Sequence, residues 1–109
     1  MSLYKSAEFI ADVERQAKWY VDQEGWELGN RYLDAVEATC QLLNRHPQLG
    51  PSARFHHPRL KAWRFFLVFR PFKRHILFYE ISGQDVNMRR ALHGFRHLPR
   101  RLLEPPESS

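Results

Sequence analysis

The sequence holds a single cysteine, Cys40, so it has neither an internal disulfide nor a cysteine-based zinc knuckle. No window approaches the ~18–20 consecutive apolar residues of a membrane span. The opening MSLYKSAEF lacks an apolar stretch behind a basic flank, so a signal peptide is not expected and a cytoplasmic location is. Glycine is scarce, and no glycine-rich phosphate loop is present. Internal repeats are also lacking. What is plentiful is aromatic: eight Phe, four Tyr and three Trp in a chain that is 43% hydrophobic, which excludes a disordered polypeptide. A chain of 109 residues supports one hydrophobic core. The expected organisation is one domain over residues 1–98 and a short C-terminal tail, 99–109, partly disordered toward Glu104–Ser109.

Charge is divided unevenly. Residues 1–50 carry five Lys or Arg against eight carboxylates, a net −3, whereas residues 51–109 carry twelve against four, a net +8. Five of the six histidines also lie in the second part. Such polarity suits an anionic partner, either nucleic acid or an acidic protein segment, though a solvated basic surface has the same composition.

Periodicity divides the chain in the same place. Leu3-Tyr4-Lys5 reads as a short strand ahead of Ser6, a plausible N-cap. Ile10, Val13, Ala17, Tyr20 and Val21 then recur at helical spacing until Gly25. A second helix over about Glu27 to Arg45 carries two adjacent apolar stripes, Leu28, Tyr32, Ala35, Thr39 and Leu42 beside Leu33, Val36, Cys40 and Leu43. It ends at Pro47. The short connection makes the two helices an antiparallel hairpin. Residues 51–60 read as a loop. Beyond them Ala62–Phe69, His75–Ile81 and Val86–Leu92 are aromatic- and β-branched-rich runs joined by short turns, an antiparallel meander. The fold class is therefore α+β, a short N-terminal strand and a helical hairpin packed on a β-meander.

That order resembles the RelE/ParE toxin superfamily of bacterial type II toxin–antitoxin modules, over about residues 3–98. The resemblance rests on Leu43-Asn44-Arg45-His46-Pro47-Gln48-Leu49-Gly50, the Arg64 strand, the His75-Ile76-Leu77-Phe78-Tyr79 strand, and Arg90-Ala91-Leu92-His93-Gly94-Phe95-Arg96. The last of these looks like the Arg-x-x-His-Gly-x-Arg ending of the ParE-like branch. The resemblance implies a plasmid-stabilisation-type toxin held inactive by a cognate acidic antitoxin encoded by an adjacent gene. ParE-like members inhibit DNA gyrase; RelE-like members cleave messenger RNA on the ribosome. Fold alone does not choose between them.

Metal-free RNA cleavage needs a proton acceptor, cations for the phosphorane and an acid for the leaving oxygen. The candidates are Arg64, Lys73, Arg90, His93 and His97. Alternation along a strand places Arg89, Ala91 and His93 on one face and Arg90 and Leu92 on the other, so Arg90 and His93 face apart unless a bulge intervenes. A binding role is the better-supported reading, with Arg64, Arg74, Arg89, Arg90, Arg96, Arg100 and Arg101 as candidate contacts for target or antitoxin and an open sheet edge as the place for an added strand. A plain nucleic-acid-binding module is the remaining alternative, with Trp63, Phe65, Phe66 and Phe69 either stacking on bases or serving as core. His56-His57 has no cysteine or carboxylate at ligand spacing, so neither a metal nor any other cofactor is expected. Cys40, on an apolar stripe, reads as a core residue.

Overall fold

In the computed structural model, which describes residues 2–106, strand β1 (Leu3–Lys5) leads directly into helix α1 (Ala7–Glu24). Ser6 caps that helix: its hydroxyl accepts the Phe9 N–H at 3.0 Å and donates to the Arg89 carbonyl at 2.9 Å. The one side chain thus fixes the start of the helix and ties it to the sheet. Gly25, at φ +99°, ends α1 and admits α2 (Trp26–Arg45) with no intervening loop. The helices approach closely at Gly29, where a Cβ would stand 2.5 Å from Val21 Cγ2.

A 3-10 turn, Pro47–Leu49, precedes a long loop to strand β2 (Arg64–Leu67). Strands β3 (His75–Ser82) and β4 (Asp85–His93) complete the antiparallel meander, and a short helix α3 (Arg100–Leu103) follows. The sheet order is β1-β4-β3-β2, with β1 parallel to β4, so the sheet is mixed.

Both faces of the sheet are covered. Against one lies the hairpin, with Phe9, Val13, Tyr32, Val36, Cys40 and Leu43 on Leu77, Tyr79, Val86 and Met88. Against the other lie the long loop and the C-terminal arm, with Leu60, Trp63 and Leu102 on Ile76, Phe78 and Leu92. Each such large side chain contributes about 1.5–3 kcal/mol on burial. The aromatic run of β2 is therefore mostly core: Trp63 is buried and Phe65 and Phe66 half-buried, with only Phe69 substantially exposed.

Two expectations are corrected, the buried helix stripes and the open rim. The buried stripe of α1 runs through Phe9, Asp12, Val13 and Ala17, leaving Ile10 exposed, and on α2 Leu33 is exposed as well. Within the expected tail, Arg100–Leu103 form α3 and Leu102 is buried in the second cluster. Of the segment expected to be disordered, residues 107–109 lie outside the described residues. The open rim, finally, is largely closed at β2: Phe65 N–H donates to the Pro51 carbonyl at 3.1 Å, Ala53 N–H donates to the Trp63 carbonyl at 2.9 Å, and Ser52 bridges Arg64.

The Pro47-x-x-Gly50 segment has a physical explanation. Tyr79, fully buried, donates from its hydroxyl to the Pro47 carbonyl at 2.6 Å and accepts the Gly50 N–H at 2.9 Å. A Cβ at Gly50 would stand 2.5 Å from both that hydroxyl and the Phe65 carbonyl. Replacing Tyr79 with Phe leaves a buried N–H and C=O without their partner. The expected loss is about 1–2 kcal/mol in a urea titration, with the fold retained.

Candidate functional site

A bulge in β4 sets the direction of every side chain after it. Tyr79 pairs with Met88 and Phe78 with Arg90, so Arg89 is the extra residue. Opposed residues share a face, so Ala91 and His93 turn toward the hairpin while Arg90 and Leu92 turn away. The bulge lies before Arg90, and Arg90 and His93 still face apart.

Arg90 is 4% exposed, and its guanidinium is fully engaged. Strand β1 stops opposite Met88, and beyond that point Asp12 of α1 serves the strand instead. Asp12 Oδ2 accepts Arg90 Nε at 2.7 Å and the Ala91 N–H at 3.0 Å, and Oδ1 accepts Arg90 Nη2 at 3.1 Å. Arg90 Nη1 donates to the carbonyls of Arg101, Leu102 and Glu104, holding the C-terminal arm. As a target contact or a phosphate-stabilising cation, Arg90 is thus unsuited: its charge is neutralised within the molecule and screened from solvent.

The other candidates are dispersed. Arg64 donates to the Gly50 carbonyl and to Gln48 Oε1 at the β2 edge. Arg64 pairs with Tyr79 and His93 with His75, positions about 13 Å apart along β3 at ~3.3 Å per residue. Lys73 and Arg74 are exposed in the β2–β3 turn. Arg89 pairs with Glu80 at 2.7 Å, and Arg100 with Glu104 at 3.5 Å. Arg101 donates Nη2 to the His93 carbonyl at 2.9 Å and Nη1 to the Arg96 carbonyl at 3.0 Å, buttressing the bend after β4. Arg96 and His97 are exposed on that bend, His97 at φ +64°. No cluster of base, acid and cation converges from Arg64, Lys73, Arg90, His93 and His97. Cys40 is fully buried, and burial pushes its thiol up to about 12, so it stays protonated and inert.

Residue order alone does not announce the aromatic box beneath His93. His75 is 2% exposed, its Nε2 lies 2.8 Å from the Tyr20 hydroxyl, and its ring packs at 4.8–4.9 Å on those of His93 and Tyr32. Burial, and secondarily the facing His93, lowers His75 to about 4, so it is neutral at physiological pH.

Of the concave surfaces among the described residues, two bear on partner binding. One is a groove of about 350 Å³ on the open side of the hairpin beside β1, floored by Phe9, Ile10, Val13, Leu33 and Val36 and rimmed by Lys5, Glu14, Asp34 and Glu37. The exposure of Ile10 and Leu33, unexplained by the core, belongs to this groove. The other is a smaller apolar cavity on the opposite face of the sheet. Among the described residues no group of His, Cys, Asp or Glu is placed to hold a metal, and no helix is long and apolar enough to cross a membrane.

This arrangement is that of a small α+β protein offering binding surfaces. A solved structure from a chromosomal ParDE toxin–antitoxin system of P. aeruginosa is similar in fold, with a TM-score of 0.71 at 17% identity, over 87% of this chain and 97% of that one. No curated protein matches. The model of the ParE toxin of type II toxin–antitoxin systems, parDE, matches residues 4–98, and the chain belongs to that family.

Proposed function

We propose that this toxin acts by binding and inhibiting DNA gyrase, and that an antitoxin encoded by an adjacent gene neutralises it. The observation that carries the reading is the covered sheet: both faces are packed, and Arg64, Lys73, Arg90, His93 and His97 are scattered or engaged, which supports a molecule that presents surfaces to a partner. Membership of the ParE family supports gyrase over the ribosome as the target. The hairpin groove suits the apolar face of an amphipathic antitoxin segment. The +8 second part favours an antitoxin that is acidic overall. Because Glu14 and Asp34 rim the groove, the portion seated there carries Lys or Arg beside its apolar residues.

A supercoiling assay with purified gyrase tests this. The chain is expected to inhibit supercoiling without cutting messenger RNA on translating ribosomes, and the co-purified antitoxin is expected to restore activity. Leu33→Asp, at an exposed groove position, is expected to weaken antitoxin rescue by about tenfold while inhibition persists. Ribosome-dependent cleavage with untouched supercoiling would refute the reading.

A further inference from the structure

The cavity on the second face measures about 140 Å³, walled by Phe55, Phe65, Ile76, Phe78 and Leu98, with Phe95 at its lip. Phe95 is 61% exposed although it belongs to this apolar wall, a costly placement for a phenyl ring with no partner. Two loops flank the opening, and each contains a non-glycine residue in the left-handed region: Arg54 at φ +58° between Ala53 and Phe55, and His97 at φ +64° before Leu98. Backbone strain of this kind, of order 1 kcal/mol or more per residue, collects where a surface is shaped for a ligand.

The surroundings are cationic. Arg54, Arg96 and His97 adjoin lining residues in sequence and are exposed, and the Arg74 carbonyl accepts the Gly94 N–H at 2.9 Å, which brings the Lys73-Arg74 turn to the same end of the sheet. No Asp or Glu occurs between Glu37 and Glu80, nor between Asp85 and Glu104, so no carboxylate belongs to the segments that build this end. A nucleobase would bring polar edges into a pocket walled by hydrocarbon; a bulky apolar side chain would not.

We propose that this cavity receives a Phe- or Leu-type anchor carried on an acidic segment of the protein the toxin acts on. The proposal rests on the reading above in one respect, that the toxin has a protein target. The antitoxin is assigned elsewhere because the two surfaces lie on opposite faces of the sheet and differ in charge: Glu14, Asp34 and Glu37 beside Lys5 line the hairpin groove, whereas no carboxylate lines this cavity and Arg54 and Arg96 adjoin its lining residues in sequence. One short segment does not complement both.

The test uses the full chain and a fluorescein-labelled nonapeptide with one phenylalanine among aspartates and glutamates, read by anisotropy. The peptide is expected to bind about tenfold more tightly than its serine-for-phenylalanine version, the scale set by burying one phenyl group. Phe95→Ser, at an exposed position, and Ala53→Phe, which fills the cavity, are each expected to remove that tenfold advantage with thermal melting unchanged. The preformed toxin–antitoxin complex is expected to bind the peptide as the free chain does. Equal affinity for both peptides, indifference to Phe95→Ser, displacement by an oligothymidylate with the same Phe95 dependence, or loss of binding in the antitoxin complex would each overturn the proposal. The gyrase reading is judged separately, by supercoiling with the unaltered chain.

Discussion

Asp12→Ala is expected to destabilise the chain by about 3–5 kcal/mol, a large part of the ~5–15 kcal/mol that holds a typical domain together. The substitution removes few contacts of its own. Its effect comes from what is left behind: the Arg90 guanidinium, with 5% of its side chain exposed, would remain buried without its counter-charge, and the Ala91 N–H would lose its acceptor. Arg90→Ala is expected to cost a similar amount, since it strands the Asp12 carboxylate and releases three carbonyls of the C-terminal arm. The two changes are strongly non-additive, because either one already breaks the pair. Asp12→Leu combined with Arg90→Met is expected to recover most of the loss by replacing an ion pair with hydrocarbon of similar volume. Urea titrations of the four proteins measure this. A single-mutant loss below about 1 kcal/mol would show that the pair behaves as a surface bridge.

The second large effect is one of pH. His75 titrates near 4 in the folded chain against about 6.5 when unfolded, lowered by burial and then by the facing His93. Between those values the unfolded chain binds a proton that the native chain refuses, so stability falls as pH drops from about 6.5 to 4 and the full contribution is present above 6.5. At 1.36 kcal/mol per unit the drop amounts to about 3 kcal/mol from this one residue. The titratable groups facing it are His93, its ring tilted against that of His75, the Tyr20 hydroxyl and the ring of Tyr32. His75→Phe is expected to keep the aromatic packing and flatten the acid limb of a stability–pH profile over that window. An unchanged slope would mean that the imidazole opens to water before it charges.

Much of the frame was readable from residue order. Ser6 and Gly25 mark the ends of α1 where capping chemistry demands, and Pro47 ends α2. Turn residues between apolar runs placed the three meander strands to within a few positions. The failures are all about direction. Ile10 fits the α1 periodicity as well as Phe9 does; only the angle at which the hairpin lies on the sheet decides which of them is buried. Asp12 gave no signal in sequence, because a carboxylate on an amphipathic helix reads as solvent-facing and its partner lies 78 residues away. For the same reason Arg90 stood among the candidate contacts although it belongs to the interior. The edge of β2 looked open because a loop without periodicity conveys nothing about where it runs, and here it runs back along the strand. The adjacent apolar stripes expected of α2 proved to serve two surfaces, one buried in the core and one lining the groove.

Arg90 grips the arm after β4 through main-chain oxygens of Arg101, Leu102 and Glu104, whatever side chains those positions bear. A clasp of that kind is blind to residue identity. Short of proline or a lost turn, the outward letters of this arm can be rewritten without loosening it, so long as Leu102 keeps its place in the core.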